Sequence, residues 1–249
     1  MSSVKREFQL RYRNSLLGAS WTILNPLAMI LVYTLIFSQV MQTRLPGTDT
    51  PYAYGIFLMS GLLPWGLFTE IVSRGPTLFL DQANLLKKIH FPKMALLVIA
   101  VVNSLVNFGI TFGLFLLFLI LIGQFPGWAV IGMLPVLLLQ ICLAASACLI
   151  LAILNVFFKD VAPLTTIVLQ FGFWLTPIVY AQSMVPEQYQ SFLALNLLSE
   201  IFEAYHTIFI DQTIPSWGTL WSPSLFCIAL VILATRLFKK HSADMVDEL

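Results

Sequence analysis

The stretch Arg11-Tyr-Arg-Asn-Ser-Leu-Leu-Gly18 leads through Ala-Ser-Trp21-Thr-Ile-Leu-Asn25-Pro26 into an apolar run that ends at Met41. Crossing a bilayer takes about 20 apolar residues, so residues 22–41 read as a membrane span. The lead-in reads differently. Phe8, Tyr12 and Leu16 recur at i, i+4 and i+8, while Lys5, Arg6, Arg11 and Arg13 occupy the other face. A basic amphipathic helix of this kind lies in the membrane interface rather than crossing it, and residues 1–17 are expected to form one. Gly18 can end it. Pro26 is expected within the first turn or so of the next helix, where a missing N–H costs little.

The composition agrees with that junction. Of 249 residues, 59% are hydrophobic and 10% charged, with a mean hydropathy of +0.88. Soluble domains carry about 25% charged residues, so the chain is read as an all-α integral membrane protein. No block is polar enough to form a soluble domain, and residues 1–249 are taken as one membrane domain. The N-terminus does not read as a cleavable signal: its basic segment is long, holds Glu7, and precedes a run of span length. Cys142, Cys148 and Cys227 all sit in apolar runs without a CxxC or a His companion, and read as small buried hydrophobes.

Six spans follow from the apolar runs: 22–41, 52–79, 94–122, 128–158, a fifth ending within 174–180, and 220–238. Residues 22–180 thus hold spans one to five. The second is interrupted by Pro64, Glu70, Arg74 and Pro76. Residues 181–217, broken by Pro186 and Pro215, contain an apolar stretch too short to cross. They read as short re-entrant or interfacial helices forming an outward gate, or as a loop lying on the membrane. Residues 239–249 form a polar tail. Lysine and arginine then set the orientation. Lys5, Arg6, Arg11, Arg13, Lys87, Lys88, Lys93, Lys159, Arg236, Lys239 and Lys240 fall on one side and Arg44 alone on the other. Both termini are therefore expected in the cytoplasm.

Chemistry-bearing motifs are sparse. The chain has no Gly-x-x-x-x-Gly-Lys-Ser/Thr loop, no metal-ligand spacing and no nucleophile–base pattern. No catalytic, metal or cofactor site is expected, and ATP hydrolysis would need another chain. His90, His206 and His241 are scattered and read as polar surface residues. Asn84, Leu85, Leu86 and Ile89 can form a short helix between the second and third spans. It is either an ordinary basic loop or, together with Phe8 of the lead-in, a surface that couples to a soluble ATPase. Glu70 and Arg74 stand four apart with Glu first, the favourable order for a helical ion pair. Charge inside a span needs such a partner, and the pair is structural or lines a pathway. Phe171, Phe173, Trp174 and Tyr180 near the end of the fifth span are candidates for an aromatic lining on which sugar rings could stack.

Several pieces in register resemble the polysaccharide branch of the ABC-2 transporter permeases, the O-antigen, capsule and teichoic acid exporters. They are Arg11-x-Arg13-x3-Leu17-Gly18-x2-Trp21-x2-Leu24-x-Pro26, Leu85-Leu-Lys-Lys-Ile-His-Phe-Pro-Lys93, Phe158-Lys-Asp-Val161 and Phe173-Trp-Leu-Thr-Pro-Ile-Val-Tyr180. Asn196-Leu-Leu-Ser-Glu200-Ile-Phe-Glu-Ala-Tyr205 is similar to the family's Asn-Pro-Leu…Tyr-Arg element but departs from it at Leu197 and His206. The resemblance covers essentially the whole chain. It implies a homodimer in the inner (plasma) membrane, bound to two copies of a separate ATPase that supplies the ATP and Mg chemistry. The cargo it implies is an undecaprenyl-diphosphate-linked glycan entering near Leu17 and Gly18. Arg11 and Arg13 are natural diphosphate partners, because guanidinium pairs with phosphate bidentately; they could equally serve only the charge bias or anionic membrane lipids. Nucleic acid is not an expected partner. Capsule or teichoic acid, or a small hydrophobic compound, is the alternative cargo. A membrane enzyme acting on lipid-linked sugars is the alternative class, and it would need clustered acids or histidines.

Overall fold

The computed structural model describes residues 20–36, 52–88, 92–242 and 244–248. Among them the secondary structure is helical. In chain order the α-helices are α1 Trp21–Leu35, α2 Ala53–Ser73, α3 Ala83–Lys88, α4 Lys93–Leu121, α5 Met133–Phe157, α6 Val161–Leu175, α7 Glu187–Ala194, α8 Leu197–His206, α9 Trp221–His241 and α10 Asp244–Glu248. Among the described residues four helical stretches are long and apolar enough to cross a membrane: Ala53–Ser73, Lys93–Leu121, Gly127–Phe157 and Trp221–His241. Two apolar helices are shorter, Ile23–Tyr33 within α1 and Val161–Leu175.

One helix organises the rest. In α2 the most apolar window is 78% buried, against 28% in α4 and 17% in α9. Ser60 and Gly61 let neighbours approach it closely, as small residues do where lipid supplies no hydrophobic drive between helices. α2 touches α1, α4, α5, α6 and α8. Phe79, Phe115, Phe202, Phe209 and Ile71 are almost wholly buried in the same cluster. By contrast, α9 exposes Leu225, Phe226, Ile228, Val231, Ile232 and Leu233. A helix this apolar with so much of its surface open is solvated by acyl chains, not water.

Several local expectations change. α2 ends at Ser73, and the chain turns through Arg74–Phe79 rather than continuing the span. Pro64 does not interrupt α2, which runs straight through it. α1 starts at Trp21, so Pro26 falls in its second turn. Cys142 is exposed, contrary to its reading as buried, whereas Cys148 and Cys227 are buried.

The turn between α5 and α6 hangs on one side chain. Asn155 Nδ2 donates to the Pro76 carbonyl at 2.8 Å, and Asn155 Oδ1 accepts from the Ala162 amide at 3.1 Å. Asn155 is buried. Asn155→Ala strips both bonds at once and should lower stability by about 1–3 kcal/mol, read as a drop in melting temperature in detergent. Unchanged melting would show that the turn is held by packing alone. Nearby, Gly75 lies against α5: a Cβ there would sit 2.7 Å from the Cys148 carbonyl oxygen.

Candidate functional site

α6 stops where Pro177 forces the preceding residue out of the helical region. Thr176 is extended, at φ −100° and ψ 134°, and Thr176 and Ile178 are fully buried. Non-helical backbone at membrane depth must find its hydrogen bonds within the protein. It does so here through three side chains. Asn196 Nδ2 donates to the Leu175 carbonyl at 3.2 Å and to Thr176 Oγ1 at 2.9 Å. Tyr54 Oη donates to the Val179 carbonyl at 2.8 Å. His206 Nε2 donates to the Pro177 carbonyl at 3.2 Å. Asn196 also caps α8, with its Oδ1 accepting from the Leu198 amide at 3.1 Å. The Phe173–Tyr180 and Asn196–Tyr205 stretches singled out in the sequence therefore meet in space, sewn together across a broken helix.

The histidine in this seam is core, not surface. His206 is 4% exposed, which corrects its reading as a polar surface residue. Its ring stacks on Phe57 with centroids 3.8 Å apart and 12° between planes. Its Nδ1 lies 3.0 Å from Ser60 Oγ. With Nε2–H engaged by Pro177, a neutral ring leaves Nδ1 as acceptor. The Ser60 hydroxyl then has two acceptors for one hydrogen, Nδ1 and the Phe57 carbonyl at 2.8 Å. His241, by contrast, is half-buried, with Nδ1 3.5 Å from Asp244 Oδ2.

One helical turn away a second buried relay runs from α8 to α2. Tyr205 Oη donates to Gln140 Oε1 at 2.7 Å, and Gln140 Nε2 donates to the Pro64 carbonyl at 2.6 Å. Tyr205 and Gln140 are fully buried. Two such relays lock α8 onto α2 and α5, although α8 is too short to cross a membrane.

The four aromatic candidates do not form one surface. Phe171 and Trp174 point away from the bundle, 63% and 62% exposed. Phe173 turns inward, 6.0 Å from Trp65 between ring centroids. Tyr180 is half-buried, its hydroxyl donating to the Trp174 carbonyl at 2.9 Å. Arg74 Nη2 and Glu70 Oε1 are 3.0 Å apart, and Asn107 Nδ2 of α4 donates to the same oxygen at 3.0 Å. α3 carries Asn84, Leu85 and Leu86. Asn84 is exposed, while Leu86 is 7% exposed and turned into the core, which removes Leu86 from any docking face. α3 also touches α10, whose Met245 is fully buried. Phe8, Arg11, Arg13, Leu17, Gly18 and Ile89 lie outside the described residues.

Sequence reasoning missed Tyr54, Ser60, Gly61 and Gln140. Ser60 and Gln140 did carry a signal, as polar residues within apolar spans, which need a partner. Tyr54 and Gly61 carried none.

A buried hub helix within apolar neighbours of span length, and a chain turn after α6 whose backbone carbonyls are satisfied by side chains, mark a helical membrane domain. The model of the ABC-2 type transporter family matches residues 1–210, and this chain belongs to that family. Over 251 aligned residues it is 32% identical to the O-antigen export system permease protein RfbA of Myxococcus xanthus, covering 100% of this chain and 94% of the relative. An O-antigen export system permease protein RfbA of Klebsiella pneumoniae is 27% identical, over 84% of this chain and 79% of that protein. The polysialic acid transport protein KpsM of Escherichia coli is 22% identical over 97% and 92%. The resemblance drawn from the motifs is borne out.

Proposed function

We propose that this chain is the membrane-spanning permease subunit of an ATP-driven exporter that moves an undecaprenyl-diphosphate-linked polysaccharide out of the cytoplasm. The observation that carries the reading is similarity along the whole chain to an O-antigen export permease. In this reading the chain is one six-span domain of the inner membrane with both termini cytoplasmic. Two copies pair and bind two copies of a separate ATPase. The outward stripe on α6, Leu164, Ile167, Val168, Phe171, Trp174 and Leu175, recurs at i, i+3, i+4 and i+7. Together with the exposed Ile23, Leu24, Leu27 and Leu31 of α1, it supports a second copy facing this side, with Phe171 and Trp174 toward the passage. Phe173 and Tyr180 would then support the lining from behind. On the other side of the membrane, Asn84 and Leu85 of α3, with Ile89 and the lead-in residue Phe8, receive the push of the ATPase.

The test is ATP hydrolysis by the reconstituted complex of permease and ATPase. Lipid-linked glycan should stimulate it several-fold, and Arg11→Gln with Arg13→Gln should remove most of the stimulation while leaving assembly intact. No stimulation in any lipid would sink the export reading. Stimulation unchanged by the two substitutions would leave the arginines as orientation signals only.

A further inference from the structure

A cavity of about 670 Å³ opens beside α8, toward the end of α9 that lies opposite its basic Lys239 and Lys240. That volume falls within the ordinary range of small-molecule sites. Ser199, Glu200, Glu203 and Thr207 line it from α8 and its continuation, a π-helical turn at Thr207–Asp211. Such turns recur at functional sites because they re-aim side chains. Gln212 then reverses the chain at φ 55°, in the left-handed region. The returning strap supplies Thr213, and the first residue of α9 supplies Trp221.

The wall has a specific chemistry. Glu200 Oε2 accepts from Ser222 Oγ at 2.6 Å, which fixes that carboxylate and leaves its other oxygen for a ligand. Among the described residues no hydrogen-bond donor engages the Glu203 carboxylate, whereas its backbone carbonyl accepts from Thr207 Oγ1 at 3.0 Å. Ser199 is 5% exposed, and among the described residues its buried hydroxyl has no hydrogen-bond partner. A buried hydroxyl without a partner carries a desolvation cost that a bound hydroxyl would relieve. Trp221 is 65% exposed and offers a flat apolar face. Two carboxylates repel a phosphate. Among the described residues no group of three acids, histidines or cysteines gathers to hold a metal ion. Acceptors and hydroxyls beside an indole suit a neutral ring that carries hydroxyls on its rim and C–H groups on its face.

We propose that this cavity is a pyranose-binding site, which holds one or two sugar units of the departing glycan. Glu200 and Glu203 accept from the ring hydroxyls, Ser199 completes the set, and Trp221 lies under the C–H face. The site rests on the export reading, and gives the exporter a place to grip the chain beyond the bundle.

The test uses the full chain with its ATPase in lipid nanodiscs, free of maltoside detergents whose head groups are themselves sugars. The probe is the polysaccharide released by mild acid from the producing cells' lipid-linked glycan, titrated by calorimetry. Trp221→Ala and Glu203→Gln should each weaken binding at least tenfold, whereas Trp128→Ala, at an exposed tryptophan elsewhere, should leave it unchanged. Should Trp221→Ala lower the melting temperature, the near-isosteric Glu203→Gln carries the comparison. Wild-type protein that does not bind the probe, while lipid-linked glycan still stimulates its ATPase, overturns the site and spares the export reading. Equal binding by wild type and Glu203→Gln also overturns it. Loss of both binding and stimulation overturns both.

Discussion

Gly61→Ala should cut the yield of folded protein sharply and lower its melting temperature by several degrees. A Cβ at position 61 would sit 2.8 Å from the Ile178 carbonyl oxygen and 3.1 Å from His206 Cε1. Neither neighbour can swing aside. The first is backbone of the broken helix, and the second is pinned between Ser60, Pro177 and the Phe57 ring. Relief requires the 176–179 segment to retreat from α2, which pulls Pro177 from His206 and Val179 from Tyr54. Overpacking alone costs about 1–3 kcal/mol, and each lost hydrogen bond adds about 0.5–1.5 kcal/mol. Gly66 is the matched control, in the same helix with nothing within 4 Å of its would-be Cβ. Gly66→Ala should be neutral or stabilising by up to about 1 kcal/mol. Equal melting of the two variants would mean that the close approach at Gly61 does not exist.

Tyr205→Phe should destabilise the protein more than the loss of one oxygen suggests. It leaves Gln140 Oε1 buried without its donor, at a cost of about 1–3 kcal/mol. Gln140→Leu is damaging for the complementary reason, since both the Tyr205 hydroxyl and the Pro64 carbonyl lose a partner. The two together remove donor and acceptor alike, so the double variant should lose less than the sum of the single losses. Coupling between polar side chains in membrane bundles averages about 0.6 kcal/mol and reaches about 1.7, and full burial puts this pair toward the upper end. Thermal melting of the four proteins in one lipid measures it. Strictly additive losses would rule out the relay.

The apolar runs were legible because the bilayer writes a long, simple pattern. α4 and α9 stand close to where hydropathy drew them, and α5 with its preceding 3-10 turn fills the fourth run. What could not be read was the second helix's rank. Among the four long spans of the described residues α2 is the least hydropathic, yet it is the most buried, because burial against protein tolerates Ser60, Gly61 and Pro64 while burial against lipid does not. His206 was misread for a related reason. Its partners Ser60 and Pro177 lie 146 and 29 residues away, and no local periodicity encodes such a pairing. The 181–217 segment was legible as irregular but not as core, since the amphipathic α8 has only three turns to announce itself. The outer cavity was invisible for the same reason: its walls are assembled from α8, a reversed strap and the end of another helix.

The distance between Ser60 and His206 along the chain has a consequence for biogenesis. α2 reaches the insertion machinery with a hydroxyl, a glycine-lined notch and a proline that lacks an N–H, and its partner helix α8 has not yet been made. At ordinary elongation rates a separation of 146 residues takes about seven to thirty seconds to synthesise. For that interval the helix destined for the centre of the protein is its least lipid-compatible span, waiting for a segment near the end of the message. Quality-control proteases thus have a window in which an interrupted chain is recognisable. A permease truncated ahead of Asn196 carries every long span but the last, and it lacks the peg that closes its own hub.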